Sequence, residues 1–345
     1  MLSAQMKILT LETTCDETAA AIVTDQLEVL ASVVASQDDL HARFRGVVPE
    51  IAARAHVERI LPVIDQALQQ ADMKLCELEA IAVANTPGLA GSLLVGLMAA
   101  KTLSLTLGIP LVAVNHLHAH IYACRISAGR EIFPCVGLIV SGGHTSLYRC
   151  TGPLEFHLLG GTIDDAAGEA FDKVANMLGL PFPGGPEVSR VAQTGDPQAF
   201  RFPRSFLKDS ERLEFSFSGL KTAVRYQIAS PDCKDLSTVK LEPQRIADLA
   251  ASFQEAVVDC LVGKSLQALQ ATGLKRLCVG GGVAANRRFR TRLGEVAKKH
   301  EFDFLIAPLE LCTDNAVMGA IAFERLKAGL VDDLDLDVAP GLVRK

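Results

Sequence analysis

Two segments about half a chain apart, "KILTLETTCDETAAAIV" and "CVGLIVSGGHTSLYRC", share one shape: an apolar strand, a short polar turn and a second apolar strand. The turns are "ETTCDET" and "SGGHT". Repetition of this unit points to a duplicated α/β domain, each copy presenting its polar hairpin toward a shared cleft. With 345 residues the chain is long for one core and suits two domains of ordinary size.

Between the hairpins, helical patterns run over 50–71 and 91–107, and a strand at 110–114 leads into "NHLHAH". After the second hairpin, "DDAAGEAFDKVANMLGL" places Ala167, Phe171, Val174 and Leu178 at helical spacing, and "PFPGGP" stops it. An amphipathic helix over 246–271 precedes the strand "RLCVGGG", a helix at "AANRRFRTRL", the strand "FDFLIAP" and a helix over 314–328. These elements place the seam near 125–131. The first domain is 1–128 and the second 129–345, the second with a helical insert over about 164–260. The last helix, about 314–328, is expected to pack back on the first domain.

Composition narrows the setting. Nine cysteines without a C-x-x-C pair fit neither a disulfide framework nor a zinc ribbon, and read as reduced, mostly buried thiols of a cytoplasmic protein. "MLSAQMK" leads into a strand without the composition of a signal or transit segment. The apolar stretch 89–114 is interrupted by Lys101 and Pro110 and divides into a buried helix and a strand, so no membrane partner is expected. A net charge of −6 means that any nucleic acid must be held by local basic patches or by another subunit.

"NHLHAH" puts His116 and His120 one helical turn apart on the same face, with His118 on nearly the opposite one. Two imidazoles leave a zinc-like or iron-like ion short of ligands. Asp314, in "ELCTDNAVMGA", is the candidate third, a carboxylate at a helix start after a strand. The alternative is that Asp314 only caps its helix and the histidines are satisfied polar groups. A zinc protease is disfavoured, because "HLHAH" lacks the glutamate of H-E-x-x-H.

Several segments resemble phosphate or ligand holders. "VGGGVAA" matches G-x-G-x-x-A at Gly280, Gly282 and Ala285, but a lone unit near the C-terminus suits a nucleotide held at a helix N-terminus beside Asn286 and Arg287 better than a dinucleotide fold. "VGKS" at 262–265 has Val258 where a Walker A motif needs glycine and lies in a helical pattern, so it reads as structural. Ser141, Gly142 and Gly143 offer N–H groups and a hydroxyl to phosphate or carboxylate oxygens, or are simply a tight turn. Gly184 and Gly185, restrained by Pro181, Pro183 and Pro186, read as a rigid lip over a ligand or as a loop that ends a helix. Asp172 lies on the preceding helix, beside Lys173. "RRFRTR" at 287–292 is a cationic helix face of the kind that is usually solvated.

Taken in order, "LETTCDET", "NHLHAH", "IVSGGHT", "TIDDAAGEAFDKVANMLGLPFPGGP", "FSFSGLKTA", "GGGVAANRRFR" and "CTDNAVMGA" cover most of 6–328, and the chain resembles the universal family of tRNA threonylcarbamoyladenosine transferases, formerly described as glycoproteases. The resemblance implies an actin-like, sugar-kinase-like and Hsp70-like fold of two duplicated RNase H-like domains. It implies a metal, Fe²⁺ in first place and Zn²⁺ in second, on His116, His120 and Asp314. It carries the acyl-adenylate contacts to Ile139, Val140, Ser141, Gly142, Gly143, Asp172, Gly185 and Asn286. Ser189 stands where some members have an aspartate, so that ribose contact is not carried over. Glu12, Asp16 and Glu17 resemble acids that matter for activity, without an assigned role.

The implied reaction moves a threonylcarbamoyl group from threonylcarbamoyl-AMP to N6 of adenosine 37 in tRNAs that read A-starting codons. The implied partners are tRNA, a paralogous non-catalytic subunit of the same fold, a small P-loop ATPase and a synthase that supplies the adenylate. Arg43, Arg45, Arg54, Arg287, Arg288 and Arg290 are candidate RNA contacts. The rival readings are an ATP-hydrolysing or phosphotransfer enzyme of the same fold, against which "NHLHAH" argues, and a non-catalytic scaffold, which should have lost His116, His120 or Asp314.

Overall fold

The computed structural model describes residues 5–229 and 239–341. The chain divides into two compact units, the first comprising Met1–Glu131, Gly152–Glu155 and Pro308–Lys345, the second Ile132–Thr151 and Phe156–Ala307.

In the first unit, β1 (Lys7–Glu12), β2 (Glu17–Thr24) and β3 (Val29–Ser36) precede α1 (Asp38–Ala42) and α2 (Pro49–Gln70). Then come β4 (Ala80–Thr86), α3 (Ala90–Leu107), β5 (Leu111–Asn115) and α4 (His116–Ala128). The sheet order is β3-β2-β1-β4-β5, with β1 antiparallel to β2 and parallel to β4. β1 and β2 are buried almost throughout, as their unbroken apolar runs require. Leu11 pairs with Ala20 and Glu12 with Ala19, so the hairpin ends in the turn 13–16.

The second unit holds β6 (Cys135–Val140), β7 (Thr145–Gly152), β8 (Glu155–Gly161), α5 (Ala167–Met177), α6 (Gly184–Val191), α7 (Ser218–Ile228), α8 (Pro243–Thr272), β9 (Arg276–Gly280), α9 (Arg287–His300) and β10 (Asp303–Ile306). Its order, β10-β9-β6-β7-β8, repeats that of the first sheet strand for strand, and β6 again runs antiparallel to β7 and parallel to β9. Two mixed five-stranded sheets of identical order make the duplication plain.

α10 (Leu309–Cys312) and α11 (Ala322–Lys327) close the chain. All of Pro308–Lys345 belongs to the first unit, a longer segment than the last helix that the sequence suggested, within a boundary drawn at 129–345. Hydrogen bonds explain why: Thr10 Oγ1 donates to Ala316 O at 2.6 Å, Asp332 N to Leu111 O, and Ala339 N to Asn85 O. The expected helix over 314–328 is a 3-10 segment, Val317–Ile321, running into α11, and Asp314 precedes both.

α3 is long and apolar enough to cross a membrane by length and composition. In this fold one face, with Leu93, Leu97 and Ala100, is buried against the sheet, while Leu94, Met98 and Leu105 are exposed. The expectation of a buried helix therefore holds for one face only. The eight described cysteines are outside any disulfide, six of them are buried, and Cys76 is exposed. Cys233 lies outside the described residues.

Candidate metal centre

α4 begins where β5 ends, and Asn115 makes the junction sharp: its side chain accepts from Leu117 N at 2.9 Å and His118 N at 3.2 Å. His116 and His120 therefore stand on the first turn and a half of a capped, buried helix. The two rings meet edge to face with centroids 4.7 Å apart. Asp314 Oδ1 lies 3.2 Å from His120 Nε2 and 3.6 Å from His116 Nε2, and one ligand atom from each of the three residues falls within 4.8 Å of the others. Both histidines are buried. Asn315, next to Asp314, supplies the side chain that accepts from Met318 N, at 3.2 Å.

Glu12 sets the chemistry of this cluster. Its Oε2 accepts from His116 Nδ1 at 3.0 Å, and its Oε1 accepts from Thr14 N at 2.7 Å. A carboxylate only accepts, so Nδ1 carries a hydrogen, and Nε2, 3.6 Å from the Asp314 oxygen, is the nitrogen left to bind either a proton or a metal. Burial disfavours a charged His116, but the Glu12 and Asp314 carboxylates outweigh it and raise its pKa to about 9. Two buried imidazoles and a half-buried carboxylate, with one ligand atom of each within 4.8 Å of the others, fit a divalent ion with open positions left over. His120 Nδ1 is buried without a hydrogen-bond partner among the described residues, so this ring lacks the outer support that Glu12 gives His116. His118, on the other side of α4, has its pKa lowered to about 4 by burial.

Asp16 closes the turn after Glu12, and Glu17 opens β2. Burial raises the pKa of both carboxyls, and the nearby Asp314 charge raises them further. Glu12, grouped with them by sequence, differs in that both its oxygens are engaged by the protein.

In the second unit, Ile139 and Val140 end β6 with buried side chains and pair with Ser146 and Thr145 of β7. Ser141 N donates to His144 O, and the turn through Gly142 and Gly143 is exposed. Two glycines not singled out by sequence make room for it. A Cβ on Gly168 would lie 2.7 Å from Ser141 O, and Gly281, at φ 95°, would place one 2.5 Å from Val140 O. These approaches bring α5 and the β9–α9 connection to the C-terminal ends of β6 and β9.

Gly184 and Gly185 are not a loop lip but the first turn of α6, and Gly184 N donates to Asp172 Oδ1 at 2.8 Å. Asn286 caps α9 through Oδ1, while its Nδ2 donates to Gln254 Oε1 at 2.8 Å and contacts Ser189 Oγ at 3.3 Å. Gln254 was missed, although a glutamine on the buried face of a long apolar helix was the signal available.

Lys264 of "VGKS" is fully buried and donates to the carbonyls of Phe206, Asp209 and Arg212, a structural tie as its helical setting suggested. On α9, Arg288 pairs with Glu255 at 2.7 Å and Arg290 donates to Ala284 O and Ala307 O, so this basic face is largely engaged within the unit. Arg43, Arg45, Arg54 and Arg287 are exposed.

The two sheets and the His/His/Asp cluster define a protein of the actin-like α/β class with a candidate two-histidine, one-carboxylate metal centre. Solved structures share the fold. HypF of T. kodakarensis matches with a TM-score of 0.62 at 14% identity, over 94% of this chain and 48% of its own. Component A of the Acidaminococcus fermentans (R)-2-hydroxyglutaryl-CoA dehydratase matches with a TM-score of 0.54 at 16% identity, over 93% of this chain and 99% of its own.

Sequence narrows the class further. The model of the tRNA N6-adenosine threonylcarbamoyltransferase family matches residues 28–321. Relatives of that name are 55% identical in Rhodopirellula baltica, over 98% of this chain and 97% of theirs, and 47% identical in Syntrophotalea carbinolica, over 96% and 95%. The chain belongs to the tRNA N6-adenosine threonylcarbamoyltransferase family.

Proposed function

We propose that this protein transfers the threonylcarbamoyl group of threonylcarbamoyl-AMP to N6 of adenosine 37 in tRNAs that read A-starting codons. The N6–carbonyl bond forms, the bond from that carbonyl to the phosphate oxygen breaks, AMP leaves, and N6 gives up a proton. The observation that carries the reading is the buried cluster of His116, His120 and Asp314 in a chain of this family. AMP is a good leaving group, so no covalent enzyme nucleophile is needed.

His116, His120 and Asp314 hold the metal, Fe²⁺ in first place and Zn²⁺ in second. When bound, it supplies Lewis-acid polarisation of donor oxygens. Glu12 keeps the His116 proton on Nδ1 and its lone pair on Nε2. Asp16 and Glu17, which follow Glu12 at the end of the turn and the start of β2, are the further acids of this site. In the second unit, the backbone at Ile139 and Val140 and the Ser141–Gly142–Gly143 turn hold the adenylate oxygens. Asp172 fixes the start of α6 at Gly184, next to Gly185, and Asn286 stands at the start of α9.

Partners of the kinds named above complete the activity. Their support is an apolar stripe on each of two helices that pack together, Val57 and Leu61 on α2 and Leu94, Met98 and Leu105 on α3, all exposed. The exposed Arg43, Arg45, Arg54 and Arg287 support RNA binding as candidate phosphate contacts. We expect Asp314→Ala to keep its circular dichroism spectrum and to lose both bound metal and transfer. Full transfer by a metal-depleted Asp314→Ala sample would overturn the reading.

A further inference from the structure

The turn between β1 and β2 has no strand partner of its own, yet each of three successive carbonyls in it is held. Thr14 O accepts from Leu89 N at 2.8 Å, and Asp16 O accepts from Gln37 N at 3.1 Å. Between them, Cys15 O accepts from two side chains, His56 Nε2 at 3.0 Å and Ser92 Oγ at 3.3 Å. This short turn carries the Thr14 hydroxyl, 3.2 Å from His116 Nδ1, and leads from Glu12 to Asp16 and Glu17.

His56 is fully buried on α2, and its partners fix its protonation. A carbonyl only accepts, so Nε2 carries the hydrogen and Nδ1 is an acceptor. Nδ1 accepts from Thr18 Oγ1 at 2.8 Å, and Gln37 Nε2 sits against the ring, 3.4 Å from Nδ1 and 3.5 Å from Nε2. Gln37 is also fully buried. Its amide orientation is fixed independently, since Nε2 lies 3.5 Å from Ala52 O and Oε1 lies 3.3 Å from His41 Nε2. His41 Nδ1 then accepts from Val48 N at 3.3 Å. The donors run one way from Val48 through His41 to Gln37 Oε1, the Gln37 amide packs on the His56 ring, and His56 donates to Cys15 O. Buried polar chains of this kind fix a single arrangement when every member is satisfied.

We infer that His56 is a positioning residue: its ring, held by Thr18 and Gln37, donates to Cys15 O and so sets the backbone of the Thr13–Asp16 turn beside the metal centre. The inference rests on the transfer reaction proposed above for its activity readout. Beyond Gln37, His41 ties this network to Val48 N, just after the exposed residues Arg43, Phe44 and Arg45.

The test compares His56→Ala, His56→Gln and His56→Asn in the complete system. Glutamine can place its amide N–H near the Nε2 position and restore the Cys15 bond, whereas asparagine reaches only the Nδ1 position. kcat is expected to fall about tenfold or more in His56→Ala and His56→Asn and to return to within about threefold in His56→Gln, with KM for the adenylate unchanged. Hydrogen exchange read on a peptide covering residues 10–18 should be faster in His56→Ala and His56→Asn, but not in His56→Gln. Equal kcat in the glutamine and asparagine variants, or unchanged exchange in His56→Ala, overturns the inference. If wild type makes no product, the transfer reading fails and exchange alone decides the role of His56. If His56→Ala does not fold, the glutamine and asparagine variants carry the comparison, and equal exchange in the two overturns the inference.

Discussion

Replacing Glu12 by glutamine should weaken metal binding without touching a ligand. In the native protein Oε1 accepts from Thr14 N and Oε2 accepts from His116 Nδ1. A glutamine that keeps its oxygen on Thr14 N turns its NH₂ toward His116. His116 can satisfy that donor only by moving its proton to Nε2, the atom that faces Asp314 and the metal. The loss is one buried hydrogen bond to a charged acceptor together with the tautomer it enforces, about 1.5–3 kcal/mol. That corresponds to roughly 10- to 100-fold weaker binding. Calorimetric titration of chelator-stripped protein with Zn²⁺ reads the effect, and anaerobic titration with Fe²⁺ repeats it. An affinity within twofold of wild type would refute the argument that Glu12 sets the tautomer of His116.

Three other outcomes follow from the same geometry. Without metal, the His116 pKa is about 9 when folded, against ~6.5 unfolded, so its contribution to stability is fully present below about pH 6.5 and is lost as pH rises through about 9. Urea unfolding of metal-free protein should lose up to ~3 kcal/mol between these limits, and a loss of equal size in His116→Gln would contradict the assignment. Lys264→Met leaves three loop carbonyls without their ammonium donor and should cost about 3 kcal/mol, seen by calorimetry as a lower Tm, with nucleotide binding unchanged. Reduced nucleotide binding would restore the phosphate-loop reading of "VGKS". Leu105→Asp on the exposed face of α3 should leave Tm nearly unchanged and weaken capture of the paralogous subunit at least tenfold. Unaltered capture would move that interface elsewhere.

What could be read from sequence follows the reach of each signal. The duplicated hairpins were legible because apolar strands around a polar turn are local patterns, and the repeated strand order bears out the α/β reading. The histidine pair was legible because helix geometry fixes i and i+4, and Asp314 followed from its motif. The role of Glu12 was not, because it depends on a contact across 104 positions, and neither was Arg288, whose partner Glu255 is 33 residues away. "PFPGGP" misled for a local reason: proline and glycine mark loops, but proline is tolerated in the first turn of a helix, where α6 places Pro186. The helix over 314–328 misled because one apolar pattern suits a 3-10 turn as well as an α-helix.

The central claim is that the His116, His120 and Asp314 centre serves threonylcarbamoyl transfer to tRNA. It is tested most directly by incubating the protein and its partner subunits with the adenylate synthase, L-threonine, bicarbonate, ATP and unmodified tRNA, beside a His116→Ala sample, and digesting the tRNA for nucleoside mass spectrometry. The account predicts threonylcarbamoyladenosine from wild type and none from His116→Ala. Equal product from both, or none from wild type while a known transferase succeeds in the same mixture, would contradict it.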